Sequence, residues 1–137
     1  KDMKDKVNLK VKHRQWFRPF APSILREYVQ DWFEGDVESP YMSFVSKIKE
    51  DCCDKISAIA HFDRTARLQT VTKQDNQWYY KLLTNWYKKS GVPILLNTSF
   101  NDKEPICETP THALNCFLGT EIDFLYFADY GILVSKK

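Results

Sequence analysis

The chain has 137 residues, 43% of them hydrophobic and 28% charged, with 20 Lys and Arg against 18 Asp and Glu for a net charge of +2. This is the composition of a soluble globular domain able to bury roughly two thirds of its unfolded surface, which excludes a disordered chain. So small a positive surplus also argues against general affinity for nucleic acid, and any anion site must come from local clustering of charge.

Several further classes fall away. No apolar run approaches the roughly eighteen residues of a membrane span, and none follows a basic start as in a signal peptide. A cytoplasmic protein without a membrane partner is expected. Cys52 and Cys53 are adjacent while Cys107 and Cys116 stand alone, so there is no C-x-x-C motif and free thiols are expected. His13, His61 and His112 match no metal-ligand spacing, and no metal site is expected. The charged run at Lys1–Lys10 lacks an initiator Met, which suggests a piece cut from a longer protein at a linker or helix end.

In chain order, Val7–Val11 alternates apolar and polar and reads as a short edge strand. Lys12 to Pro22 interleaves Lys12, His13, Arg14 and Arg18 with Trp16, Phe17 and Phe20, and Pro19 and Pro22 exclude a regular helix there. Ser23 can cap a helix over Ile24–Phe33 that ends at Gly35. Tyr41–Ile48, Ile56–Ala60 and Leu68–Val71 read as extended. Asp75 is expected to cap the clearest helix, where Tyr79, Leu82, Leu83, Trp86 and Tyr87 recur at helical spacing until Gly91. Pro93–Leu96 looks like a central strand running into a polar loop, Asn97 to Asn101. Thr109-Pro110 opens a last helix to Leu118, and strands over Ile122–Phe127 and Ile132–Val134 flank Asp129–Gly131. The pattern predicts an α/β (α+β) fold, a mixed sheet flanked by helices.

Three segments could carry chemistry. The basic loop holds Lys12, Arg14 and Arg18; His61–Arg67 holds His61, Asp63, Arg64 and Arg67; the third offers Asn97, Thr98, Ser99 and Asn101. Guanidinium forks and a Lys point charge suit phosphate oxygens. Neutral hydroxyls and amides orient a substrate without attacking it. Converging, these segments would make a polyanion pocket suited to phosphoryl or nucleotidyl transfer, in which positioning and charge neutralisation do the catalysis. The competing readings are a solvated basic surface, an ordinary Asx-type turn after the strand, and a structural His61–Asp63 contact.

At these three segments the sequence resembles the C-terminal domain of the NodU/CmcH-type carbamoyltransferases. Val11 to Pro22 looks like that family's K-x-R-E-x-F-R-P-F-A-P block, His61 to Val71 like its H-x-D-G-T-A-R-x-Q-T-V block, and Pro93 to Asn101 like its V-L-L-N-T-S-F-N block, followed by Glu104-Pro105-Ile106. Arg64 stands where the family usually has Gly, Gln15 replaces Glu, and the Asn101-to-Glu104 spacing is the shorter variant. The resemblance implies a YrdC-like twisted sheet in which a K-x-R motif, Lys12-His13-Arg14, and an S-x-N motif, Ser99-Phe100-Asn101, line a nucleotide site.

It further implies that ATP, with Mg2+, and carbamoyl phosphate are substrates, and that carbamoyl-adenylate forms as pyrophosphate leaves. A separate N-terminal domain of the actin/sugar-kinase type, carrying iron, would pass the carbamoyl group to an acceptor hydroxyl. On this reading Lys12, Arg14, Arg18 and Arg67 are catalytic. Lys12, Arg18, His61, Asp63, Arg67, Asn97, Thr98, Ser99 and Asn101 bind substrate or nucleotide. The alternative is a non-catalytic nucleotide- or RNA-binding module of the same fold. The acceptor is not legible, and the oligomeric state is left open, a homodimer included.

Overall fold

The computed structural model describes residues 2–13, 15 and 17–136. In chain order the elements are α1 (Asp2–Lys10), β1 (Ala21–Leu25), α2 (Val29–Trp32), β2 (Val45–Lys47), β3 (Thr65–Arg67), β4 (Gln69–Val71), α3 (Gln77–Ser90), β5 (Ile94–Asn97), α4 (Pro110–Gly119), β6 (Phe124–Phe127) and β7 (Ile132–Ser135). Helices with a mixed sheet make this an α+β fold, as the sequence pattern implies. The chain divides into two compact units, one of Pro19–Thr98 and one of Asp2–Arg18 with the chain from Ser99 onward.

The first unit is built on β1. Its sheet has the order β4-β1-β5, with β1 parallel to β4 and antiparallel to β5. All five residues of β1 are buried. The helix expected from Ile24 with a Ser23 cap does not form there; α2 begins only at Val29. Strand pairing on two edges satisfies the backbone that a helix would have satisfied internally, and the Ser23 hydroxyl donates to Gln69 Oε1 at 2.7 Å instead of capping. Pro22 is tolerated because pairing with β4 starts at Ser23, so its missing N–H breaks no bond to that neighbour. β5 pairs with β1 alone, which makes it an edge of this sheet and not the central strand expected.

Ile56–Ala60 forms turns and not a strand. The Ile59 amide donates to the Ile56 carbonyl at 3.0 Å, and the three-residue spacing sends both Ile side chains into the core with Phe33 and Ile48. Each such burial is worth about 2 kcal/mol, which outweighs a weak local preference for extension. The cap of α3 is Asn76, whose side chain accepts from the Tyr79 amide, while Asp75 takes the Thr72 amide and hydroxyl. Gly91 ends α3 at φ +71°, as expected of a left-handed C-cap. Leu83 is fully buried, whereas Trp78 and Leu82 stay exposed, so only part of the helical stripe is core.

The second unit contains α1, α4 and the β6–β7 hairpin. Val7–Val11 does not form an edge strand. The Lys12 amide closes onto the Val7 carbonyl at 2.9 Å as a helix end, and β6 and β7 pair with each other. Asn8 is buried and donates to the Arg18 carbonyl, tying the helix to the loop that follows it. Thr109 caps α4 with Pro110 in its first turn, as expected. Ala113, Phe117 and Leu125 make the core here, with Phe100 and Cys107 packed against it. All four cysteines are free. Among the described residues no helix is long and apolar enough to cross a membrane.

Candidate functional site

In the second unit, the loop after α1 and the loop from Ser99 meet through Lys12. Its side chain is buried, with 7% exposure. Its ammonium lies 3.1 Å from the Ser99 carbonyl, 3.3 Å from Ser99 Oγ, 2.6 Å from the Asn101 carbonyl and 2.6 Å from Asn101 Oδ1. All four oxygens belong to neutral groups and hold the cation by charge–dipole hydrogen bonds. Ser99 Oγ donates to Asn101 Oδ1 at 2.6 Å, and Asn101 Nδ2 donates to the Glu104 carbonyl at 2.7 Å. The Ser99 hydroxyl is therefore committed to an amide oxygen and lies beside an ammonium, and neither neighbour is a base that could activate it.

A pocket of about 380 Å³ opens on this network, lined by Lys12, His13, Gln15, Arg18, Ser99, Asn101, Asp102 and Lys103. His13 turns the chain there with φ +44°, a left-handed conformation that His adopts more readily than most residues. Its Nδ1 lies 3.1 Å from Asp102 Oδ1, a second tie between the two loops. Arg18 is exposed. The lining thus combines the cations Lys12, Arg18 and Lys103 with neutral hydrogen-bonding groups and one carboxylate, Asp102, that faces His13, a set that can receive an anion with an uncharged end.

The other predicted residues lie in the first unit, except Arg14, which is outside the described residues. His61 and Asp63 do not share a strand face. They belong to a turn before β3, in which Asp63 Oδ1 accepts from the Thr65 hydroxyl at 2.7 Å and the Thr65 amide at 3.1 Å. Those two bonds hold the Asp63 carboxyl below the usual aspartate value. His61 Nδ1 is 3.1 Å from Thr65 Oγ1. Arg64 sits in this turn at φ +61° and pairs with Glu50 at 3.2 Å, so it occupies a conformation that glycine takes without strain. Arg67 is exposed on β3, opposite Val45. Asn97 ends β5 and donates to Gln69 Oε1 at 2.6 Å, with half-buried Thr98 next to it.

The structure therefore brings Lys12, Arg18, Ser99 and Asn101 to one pocket and adds Gln15, His13, Asp102 and Lys103. Sequence reasoning passes over Gln15, Asp102 and Lys103 as site residues, and His13 enters it only as the middle residue of the K-x-R motif. The only signal was their nearness in the chain to Lys12 and Asn101, because a pairing 89 positions apart leaves no local trace.

The chain belongs to the family described as carbamoyltransferase C-terminus, whose model matches residues 1–135. Nodulation protein NolNO of Sinorhizobium fredii is 43% identical, in an alignment covering 98% of this chain and 20% of that protein. Nodulation protein NolO of Bradyrhizobium diazoefficiens is 41% identical, covering 98% of the chain and 25% of that protein. Nodulation protein U of Rhizobium tropici is 40% identical over 99 residues, 72% of the chain and 17% of that protein. The chain spans about a quarter or less of the length of these curated relatives.

Proposed function

We propose that this domain activates a carbamoyl group for an O-carbamoyltransferase, forming carbamoyl-adenylate from ATP and carbamoyl phosphate in the cytoplasm, for transfer by another domain to an acceptor hydroxyl. The observation that carries the reading is the buried Lys12 ammonium joined to Ser99 and Asn101, the two defining residues of the S-x-N motif, at the wall of a pocket that Arg18 also lines. Lys12 and Arg18 neutralise phosphate charge while water takes the phosphate from carbamoyl phosphate and the carbamate oxygen so freed attacks the α-phosphorus of ATP, expelling pyrophosphate. Ser99 and Asn101 orient neutral oxygens. Arg67, Arg14, His61, Asp63, Asn97 and Thr98 enter the proposal through their motifs alone.

Magnesium arrives as the counterion of ATP. The pocket's one carboxylate among its described lining residues, Asp102, is held by His13, so the lining suits the phosphates of a metal–nucleotide and not a bare ion. The test is carbamoyl-phosphate-dependent exchange of pyrophosphate into ATP. Arg18→Ala and Arg67→Ala are each expected to cut the exchange rate about a hundredfold, as when a transition-state donor is lost. Wild-type rates in both variants would overturn the proposal.

A second reading, nucleotide or RNA binding without turnover, is favoured by the exposed Phe17 beside Arg18. It predicts binding that weakens steeply with salt and no exchange activity.

A further inference from the structure

Lys103 lines the same pocket as Lys12, Arg18, Ser99 and Asn101, yet it belongs to none of the motifs that identify the family. Two carboxylates flank it in the chain, Asp102 and Glu104. Either could ordinarily neutralise a lysine one residue away. Both are committed elsewhere. Asp102 Oδ1 faces His13 Nδ1 at 3.1 Å. The Glu104 carboxylate turns back on its own loop, accepting the Lys103 amide at 3.1 Å and, more weakly, the Asp102 amide at 3.4 Å. Its own backbone amide, then those of Asp102 and Lys103, hold the Glu104 carboxyl below the usual glutamate value.

The turn is fixed from its other end as well. Asn101 Nδ2 donates to the Glu104 carbonyl while Asn101 Oδ1 receives Lys12 and Ser99. The backbone on both sides of Lys103 is therefore held to the network that forms the pocket wall. Its side chain makes no ion pair among the described residues. A lysine whose two neighbouring acids in the chain are engaged elsewhere, on a pinned turn in a pocket that Lys12 and Arg18 also line, can offer its ammonium to an incoming anion.

We propose that Lys103 is a further substrate-binding residue of this pocket and contacts the polyphosphate end of the nucleotide. The proposal rests on the nucleotide reading above and deepens it by assigning which end of the nucleotide Lys103 meets. Lys103 binds phosphate oxygens through its ammonium, with Glu104 as the positioning residue behind it.

The experiment compares ATP, inorganic pyrophosphate and adenosine as ligands of wild type, Lys103→Met and Lys103→Arg by calorimetry, with melting temperatures recorded in parallel. Lys103→Met is expected to weaken ATP and pyrophosphate about tenfold, in line with loss of one charge-assisted hydrogen bond, and to leave adenosine affinity and melting temperature unchanged. Lys103→Arg is expected to restore most of the ATP affinity. ATP and pyrophosphate affinities equal to wild type in Lys103→Met would overturn this assignment and leave the nucleotide reading intact. Wild-type protein that binds neither ATP nor pyrophosphate would overturn both. An equal loss for adenosine would show a collapsed loop and also overturn the assignment.

Discussion

Two small networks hold half of the predicted site residues, and they are opposite in polarity. In the Lys12 network a buried cation is surrounded by neutral oxygens of Ser99 and Asn101. In the turn before β3 an exposed carboxylate, Asp63, collects the amide and hydroxyl of Thr65 two residues away. The first joins segments 87 to 89 positions apart, so it determines tertiary structure. The second closes a local turn. A buried group that bridges distant loops is costly to remove, because its partners lose their donor inside the protein. An exposed turn acid is replaced by water when it is lost. Motif membership does not distinguish the two cases, and burial does.

The sharpest way to break the comparison is Lys12→Met, which keeps the apolar stem and deletes the ammonium. It is expected to lower the free energy of unfolding by about 1–3 kcal/mol, since the Ser99 and Asn101 oxygens lose the buried donor that ties their loop to the one after α1. Urea denaturation followed by circular dichroism checks it. A stability change no larger than that of Asp63→Asn would erase the distinction drawn between the networks. Arg18→Ala comes next. It lines the same pocket but is exposed, so the expected loss is about a hundredfold in pyrophosphate exchange with an unchanged melting temperature. A stability loss matching that of Lys12→Met would assign Arg18 a structural role.

What was legible in the sequence follows the same division. Gly91 and Gly131 at positive φ and the Thr109-Pro110 cap are short-range signals, and each stands where the pattern put it. Ser99 and Asn101 also stand beside Lys12, a meeting of two of the three segments that the sequence raises only as a condition. β1 was misread because Pro22 and Ser23 look like a helix start until two neighbouring strands are present to pair with it. Ile56 and Ile59 were misread because a short apolar run has no intrinsic period, and the core chose between strand and turn. Asp75 and Asn76 are both good caps, and only the Thr72 bond shows which one serves the helix. The His13–Asp102 tie was invisible because nothing in either neighbourhood marks the other.

A smaller effect tests the turn itself. Arg64 at φ +61° carries a left-handed cost of roughly 1–2 kcal/mol, which Gly would remove at an entropic cost of about 0.5–1 kcal/mol. Its ion pair with Glu50 is exposed on both sides and adds little. Arg64→Gly is therefore expected to stabilise the protein by about 0.5 kcal/mol, read as a rise in the urea midpoint. A fall in the midpoint would mean that the Glu50 pair or an unseen contact of the guanidinium outweighs the backbone.

The mildest perturbation is acid, and its sign follows from the direction of the Asp63 shift. The Thr65 hydroxyl and amide stabilise the carboxylate, so the folded value lies below the ordinary 3.8. The stabilisation is present in full above the ordinary value and is lost as pH falls through the lower folded value. Titration of the Asp63 carboxyl carbon by NMR should show a midpoint below 3.8, with the Thr65 amide proton moving at the same pH. In Thr65→Val the hydroxyl is gone and the amide remains, so the midpoint should rise only part of the way back. A midpoint in the variant equal to wild type would show that the hydroxyl does not hold the carboxylate. The turn would then rest on its backbone bonds, His61 amide to Thr65 carbonyl and Arg64 amide to His61 carbonyl, at 2.8 and 3.1 Å.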